Sequence, residues 1–252
     1  MENQTRNQYK VMELCLLAGK IMLQSGAETY RVEDTMMRIA SSFGIQESHS
    51  YVTPTGIIFS IEGEPPKTKL IRVTERTTDL VKVAKVNSIS RKISSEELTL
   101  DEAYESLKKI EFSSHYYPFW MQVVAAAVAS GCFLIMFKGE WRDFIPAMFA
   151  GGFGLISVTY FHRIVPIKFF AEFLAAFIIG LLSFLFIKMG FGFQLDKIII
   201  GSVMPLVPGL LITNAVRDLM AGHLVSGLSK GAEAFLTAFA IGSGIAVVLS
   251  FM

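Results

Sequence analysis

Three groups of residues have types and spacings that could do chemistry. The first lies in the run 201–226, GSVMPLVPGLLITNAVRDLMAGHLVS, which is apolar enough to enter a bilayer yet carries Pro205, Pro208 and Gly209 inside it. A proline supplies no amide hydrogen and its ring crowds the carbonyl four residues back, so a helix here must kink or unwind. Backbone released in this way at membrane depth is tolerated where protein buries it or a wet cavity reaches it, and transporters use such interruptions as binding sites. A plain proline kink is the simpler alternative, but a polar cluster follows the break. Thr213, Asn214, Arg217 and Asp218 fall within two turns, with Asn214 and Asp218 at i and i+4 on one face. A half-helix starting after Pro208 would direct its amides, the positive end of its dipole, at a carboxylate, with Asn214 or Thr213 orienting it. Arg217 and Asp218 could instead simply pair with each other at the inner membrane boundary.

The second group is SGAETYRVE, residues 25–33, dense in hydroxyl and charged side chains: Ser25, Glu28, Tyr30, Arg31 and Glu33. Ser25 followed three places later by Glu28 is a capping-box pattern, and the plain reading is a capped helix with solvated charges. The third group is Glu172 and Glu233, carboxylates within about two turns of the ends of apolar runs, placed either to snorkel to the interface or to carry a proton or gate. His49, alone among serines, reads as a surface or strand-end residue. There is no H-E-x-x-H pair or G-x-x-x-x-G-K phosphate loop, so a zinc-dependent hydrolase or nucleotide-driven pump lacks its usual chemistry.

The elements that position these groups divide at about residue 118. Residues 1–118 hold 15 of the 23 basic and 16 of the 22 acidic residues, while the remainder is apolar, which fits the 21 Phe and a mean hydropathy of +0.48. Net charge +1 leaves no nucleic-acid footprint. Cys15 and Cys132 lie in different halves and read as packing residues; neither a disulfide nor a metal site is expected, nor a cofactor. The N-terminus MENQTRNQYK is polar and leads into no signal-peptide core, so the first domain is expected in the cytoplasm.

In that first domain, Val11, Met12, Cys15, Leu16, Gly19, Met22 and Leu23 recur at helical spacing and predict an amphipathic helix over 9–23. A second helix runs from the Ser25/Glu28 box to Phe43, burying Val32, Met36, Ile39 and Phe43, with Glu28, Arg31, Glu33 and Arg38 on other faces and Gly44 closing it. Alternation then predicts strands at 50–53, 56–61 and 70–74, with a turn over 62–67 that contains Gly63, Pro65 and Pro66. Helices at 78–92 and 100–111 follow, the latter opened by a Thr99/Glu102 capping box. The order is α-α-β-β-β-α-α, an α+β domain, ending at an interfacial belt of Tyr116, Tyr117, Pro118, Phe119 and Trp120.

A crossing helix needs about 20 apolar residues, and 119–252 offers five such stretches, near 119–137, 144–161, 167–188, 195–216 and 230–252, an all-α membrane bundle of five transmembrane helices. With the first domain inside, the C-terminus falls outside. Loop charges are balanced, Arg163, Lys168, Arg217 and Lys230 inside against Lys138, Arg142, Lys188 and Lys197 outside, and only Lys108 and Lys109 tip the count inward. Small residues at Ala125 and Ala129, Ala126 and Ser130, Gly151, Gly152 and Gly154, and Gly242 and Gly244 let helices approach closely and predict a tight bundle or an oligomer.

Taken together, SGAETYRVEDTMMRIASSFG at 25–44, YVTPTGIIFSI at 51–61 and VPGLLITNAVRDLMAGHLVSGLSKGAEAFLTAFAIG at 207–242 resemble the bacterial threonine/serine exporter family. That resemblance implies secondary transport of small amino acids, or of dicarboxylates such as succinate, out of the cytoplasm across the bacterial plasma membrane. It also implies a split exporter, of which this chain is the larger subunit, completed by a separate small membrane protein in a homo- or hetero-oligomer. With no nucleotide motif, an ion gradient, with protons the first candidate, is expected to drive it. A competing reading is a membrane-tethered, hydrolase-like enzyme using Glu28, Glu33 and His49 as acid and base. A third, compatible with export, makes the first domain a gate or sensor for the bundle.

Overall fold

The computed structural model describes residues 2–62, 66–113, 117–165, 167 and 169–251, with side chains from Asn7 onward. The expected turn residues Gly63 and Pro65, the belt residue Tyr116, the loop residues Pro166 and Lys168, and Met252 lie outside the described residues. The chain forms two compact units, Met1–His115 with Ile212–Gly231, and Tyr116–Leu211 with Ala232–Met252. The boundary falls at 115 rather than 118, and residues 212–231, read from hydropathy as part of the membrane half, are built into the first unit.

The first unit opens with α1 (Glu2–Gln24) and α2 (Thr29–Ser42), continues with β1 (Ser48–Thr53), β2 (Gly56–Ile61) and β3 (Lys67–Arg72), and closes with α3 (Leu80–Ser94) and α4 (Leu100–Phe112). The expected order holds, with the third strand and third helix displaced by two or three residues. Helix α1 buries most of its circumference, and its polar face narrows over the second half to Glu13, Lys20 and Gln24. Val11, Met12, Leu14, Cys15, Leu16, Leu17 and Ala18 are all buried, because α1 packs against α2, α3, α4 and β2 at once and so needs a wide apolar face. Gly19 lets α2 come close, since a Cβ there would run into Met36. The strands form an antiparallel sheet in the order β1-β2-β3, with Val52, Ile57 and Phe59 turned into the core. Helix α2 stops at Gly44, whose φ of +80° suits glycine. The capping box on α4 forms as expected, Thr99 N–H donating to Glu102 Oε2 at 3.0 Å and Glu102 N–H to Thr99 Oγ1 at 3.4 Å.

The remaining helices are α5 (Phe119–Met136), α6 (Phe144–Ile164), α7 (Phe170–Lys188), α8 (Leu195–Val203), α9 (Gly209–Met220) and α10 (Leu224–Ser250). Among the described residues, four helices are long and apolar enough to cross a membrane, or five spans if α8 and α9 count as one broken span. Within the second unit, Ser130 of α5 and Ser202 of α8 crowd Gly151 of α6 so closely that a Cβ would collide with the Ser130 hydroxyl. A Cβ on Gly244 would likewise run into the Phe173 carbonyl of α7, whereas Gly242 has open space around its Cβ position. Cys132 is exposed rather than packed, on the outward face of α5. Asp143, unremarked in the sequence, is buried and accepts the Phe193 and Gln194 amides at 2.7 and 3.0 Å, tying down the start of α8.

The expected interruption is present. After α8 a 3-10 turn, Met204–Leu206, holds Pro205; Val207 is extended; and α9 begins at Gly209, just past Pro208. The two helical pieces are bent by 63° at this break. The expected connector 217–229 is a correction, for only 221–223 separate α9 from α10. Hydropathy stops a span at Arg217, Asp218 and Lys230, but these charges are satisfied by partners and the helices run through them. At 27 residues α10 is about 40 Å long from a rise of about 1.5 Å per residue, more than a hydrocarbon core of about 30 Å requires.

Candidate functional site

The site is assembled inside the first unit, where α9 and the start of α10 meet the turn before α2. Ser25 and Glu28 do not form the expected capping box: α2 begins at Thr29, and Glu28, in the N-cap position with extended backbone, makes no side-chain cap. Helix α2 is capped from far along the chain. Asp218 Oδ1 accepts the Thr29 backbone N–H at 2.9 Å, and Oδ2 accepts the Thr29 hydroxyl at 2.8 Å. A carboxylate at this end satisfies an orphan amide and complements the helix dipole.

Lys230 of α10 completes the arrangement, donating to Asp218 Oδ2 at 2.7 Å and to Thr29 Oγ1 at 3.1 Å. The Asp218 and Lys230 side chains are 0% and 4% exposed, so this is an ion pair held out of water. Ser226 Oγ lies 2.5 Å from Thr29 Oγ1. The expected Arg217–Asp218 pairing does not occur. Arg217 instead donates to Glu28 Oε1 at 2.5 Å, and Arg31 to Glu28 Oε2 at 3.1 Å. Asn214 Nδ2 donates to the Gly26 carbonyl at 2.9 Å, and Gly26 sits at φ +87°, a conformation that favours glycine. One face of α9, Asn214, Arg217 and Asp218, therefore grips residues 26, 28 and 29 of the turn.

Neither acidic residue of that motif is a solvated charge. Burial alone would raise the Glu28 carboxyl, but its backbone hydrogen bond and the Arg217 and Arg31 guanidinium groups outweigh it and hold it below the usual range. Burial raises Glu33, and the nearby Asp218 charge adds to this, against the opposing Val52 amide and His223. Glu33 Oε1 accepts the Val52 N–H at 2.8 Å and lies 3.8 Å from His223 Nδ1.

The other expected residues lie apart from this cluster. Tyr30 is exposed, and Ser25 is buried with its carbonyl accepting the Asp79 amide. Thr213 and Gly209 are exposed on α9, while Pro205 and Pro208 are half-buried at the break. In the second unit, Glu172 Oε1 is 3.2 Å from His162 Nε2, and its other oxygen is buried with no hydrogen-bond partner among the described residues. Glu233 is half-buried on α10. His49 is exposed and pairs with Glu62 at 3.1 Å, sharing no partner with Glu28 or Glu33 among the described residues. Sequence reasoning missed Thr29, His223, Ser226 and Lys230. The available signal was Lys230 itself, a lysine at the head of an apolar run, where an ionisable residue needs a partner.

Residues 13–252 match the family model ThrE, described as "Putative threonine/serine exporter". The chain belongs to the threonine/serine exporter family. It is 24% identical over 233 residues to a "Probable threonine/serine exporter" of Mycobacterium tuberculosis, covering 91% of this chain but 44% of that protein, and so spans less than half of that relative's length. It is 26% identical over 257 residues to the "Probable succinate transporter subunit YjjP" of Klebsiella aerogenes, covering 99% of this chain and 97% of that one. Against the protein of the same description in Escherichia coli the identity is 27%, covering 98% and 96%. No solved structure matches this exporter-family chain.

Proposed function

We propose that this chain is one subunit of a secondary-active exporter that moves small carboxylated metabolites, threonine and serine or a dicarboxylate such as succinate, out of the cytoplasm. The observation that carries this reading, in a chain of this family, is the interrupted crossing at Pro205–Gly209. A bend of 63° between two apolar helical pieces is the kind of break around which transporters build substrate sites. The positive end of the α9 dipole favours a carboxylate there, with Thr213 close in sequence to orient it. Asn214, Arg217 and Asp218 grip the turn at 26–29, so a movement of the cytoplasmic domain reaches α9 directly, which supports that domain as a gate. Five crossings would put the first unit and the C-terminus on opposite sides of the membrane; in this reading the first unit is inside, and Glu172 and Glu233 are the carboxylates that carry protons or gate. The relative of twice this length and the relatives described as a subunit support a small membrane protein as the missing part.

The test is efflux of preloaded threonine, serine and succinate from cells or proteoliposomes containing this chain with and without that partner. Export of at least one of them, abolished by dissipating the proton gradient, is the expected result. Absence of gradient-dependent movement of every carboxylated metabolite in the panel would overturn the proposal.

A further inference from the structure

We propose that the Asp218–Lys230 ion pair is a proton-exchange site, reached from a solvent cleft through the hydroxyls of Ser226 and Thr29. The inference is read from the first unit alone, and only its use in coupling rests on the exporter reading. A cleft of about 200 Å³, lined by Tyr51, His223, Leu224 and Ser226 among others, opens beside the buried cluster. Ser226 is only 2% exposed yet lines that cleft. Behind it the oxygens are spaced as a wire: Ser226 Oγ to Thr29 Oγ1 is 2.5 Å, and Thr29 Oγ1 to Asp218 Oδ2 is 2.8 Å.

Donor counting sets the direction. Thr29 has one hydroxyl hydrogen, used on Asp218 Oδ2, and it accepts from Lys230, so the Ser226 hydroxyl must be the donor in the Ser226–Thr29 contact. Both hydroxyl hydrogens therefore point along the chain toward the carboxylate. When a proton arrives from cleft water, Ser226 Oγ takes it and passes its own hydrogen to Thr29. Thr29 passes its hydrogen to Asp218 Oδ2, which becomes a neutral acid; one proton has entered, and the two hydroxyls now point back toward the cleft until they rotate. Release runs in reverse.

Protonation has a mechanical consequence. It removes the counter-charge of a lysine that is 4% exposed, and an unpaired buried ammonium is strongly unfavourable. The groups facing the pair do not replace that charge. Glu28 from α2 is engaged by Arg31 and Arg217, Glu33 accepts the Val52 amide beside His223, and Arg217 on α9 adds further positive charge. Lys230 then either gives up its own proton or moves toward water, and the second course draws the start of α10 off the N-terminus of α2.

Two measurements on the full-length chain test this. In detergent, a downward pH jump followed by time-resolved infrared spectroscopy should reveal a carboxylic-acid carbonyl band that is missing in Asp218→Asn. The band should form about tenfold more slowly in Ser226→Ala and at near-parental rate in Ser226→Thr. A band that persists in Asp218→Asn, or a rate unchanged in Ser226→Ala, overturns the relay whether or not the chain transports anything. In proteoliposomes with the partner, Ser226→Ala should lower uphill, proton-driven efflux about tenfold while substrate exchange stays within about twofold of the parent. Equal loss of both would assign Ser226 a structural role and overturn the coupling, whereas a parent that moves no metabolite contradicts the exporter reading and leaves the infrared result to decide the relay.

Discussion

Asp218 caps the helix that begins at Thr29, accepting that residue's amide at 2.9 Å and its hydroxyl at 2.8 Å across 189 residues of sequence. Two motifs that look independent in the chain, one at the start of α2 and one following the proline break, are therefore halves of a single polar cluster.

Breaking that cluster on one side should be costly. Asp218→Ala removes the cap and leaves Lys230 buried and unpaired, a change expected to destabilise the first unit by about 3–5 kcal/mol. Denaturant or thermal unfolding in detergent, followed by a probe in the first unit, measures it. Adding Lys230→Met to Asp218→Ala should recover part of the loss, because the uncompensated charge is gone. Strictly additive losses would show that the two side chains do not interact.

The acidic residues of α2 should have opposite pH signatures. Glu28 is held below the usual carboxylate range, so its contribution is present above that range and fades as pH falls through the lowered value. Glu33 is raised, so its contribution is present below the usual range and fades as pH rises through the raised value. Melting temperature against pH should accordingly lose acid sensitivity in Glu28→Gln. In Glu33→Gln, which keeps an acceptor for the Val52 amide, it should lose its decline toward higher pH.

Arg217 should matter little to stability despite its short contact. Its side chain is 61% exposed, so solvent screens the pair with Glu28, and Arg217→Ala is expected to cost no more than about 1 kcal/mol. Unfolding of this variant beside Asp218→Ala should separate the two by several-fold, and comparable losses would contradict the burial assigned to them.

In the second unit, Gly151→Ala should force α6 away from Ser130, an overpacking that costs about 1–3 kcal/mol. A fall in melting temperature that Ser130→Gly partly reverses would locate the strain at this pair, and no fall at all would contradict the close approach.

Much of the architecture was legible because it is local. The periodicity of Val32, Met36 and Ile39, the Thr99/Glu102 box and the apolar runs at 119–188 each state their structure within a few residues. The proline break was legible for the same reason. The site was only half visible, since Asn214, Arg217 and Asp218 do share a face, but their partners are Gly26, Glu28 and Thr29. Local pattern assigned Ser25 and Glu28 to a capping box, and a carboxylate from α9 took that place. It also made Lys230 a loop charge, because no spacing rule reveals that Asp218 will fold back onto it and keep α10 helical through it.

The central claim is that the interruption at Pro205–Gly209 forms the transport path and that α9 couples it to the cytoplasmic domain. Its most direct test is the initial rate of threonine, serine and succinate efflux by Pro208→Ala and Asn214→Ala at matched membrane levels. The account expects both variants to fold and to export at least about tenfold more slowly than the parent. Parental rates in both would contradict it.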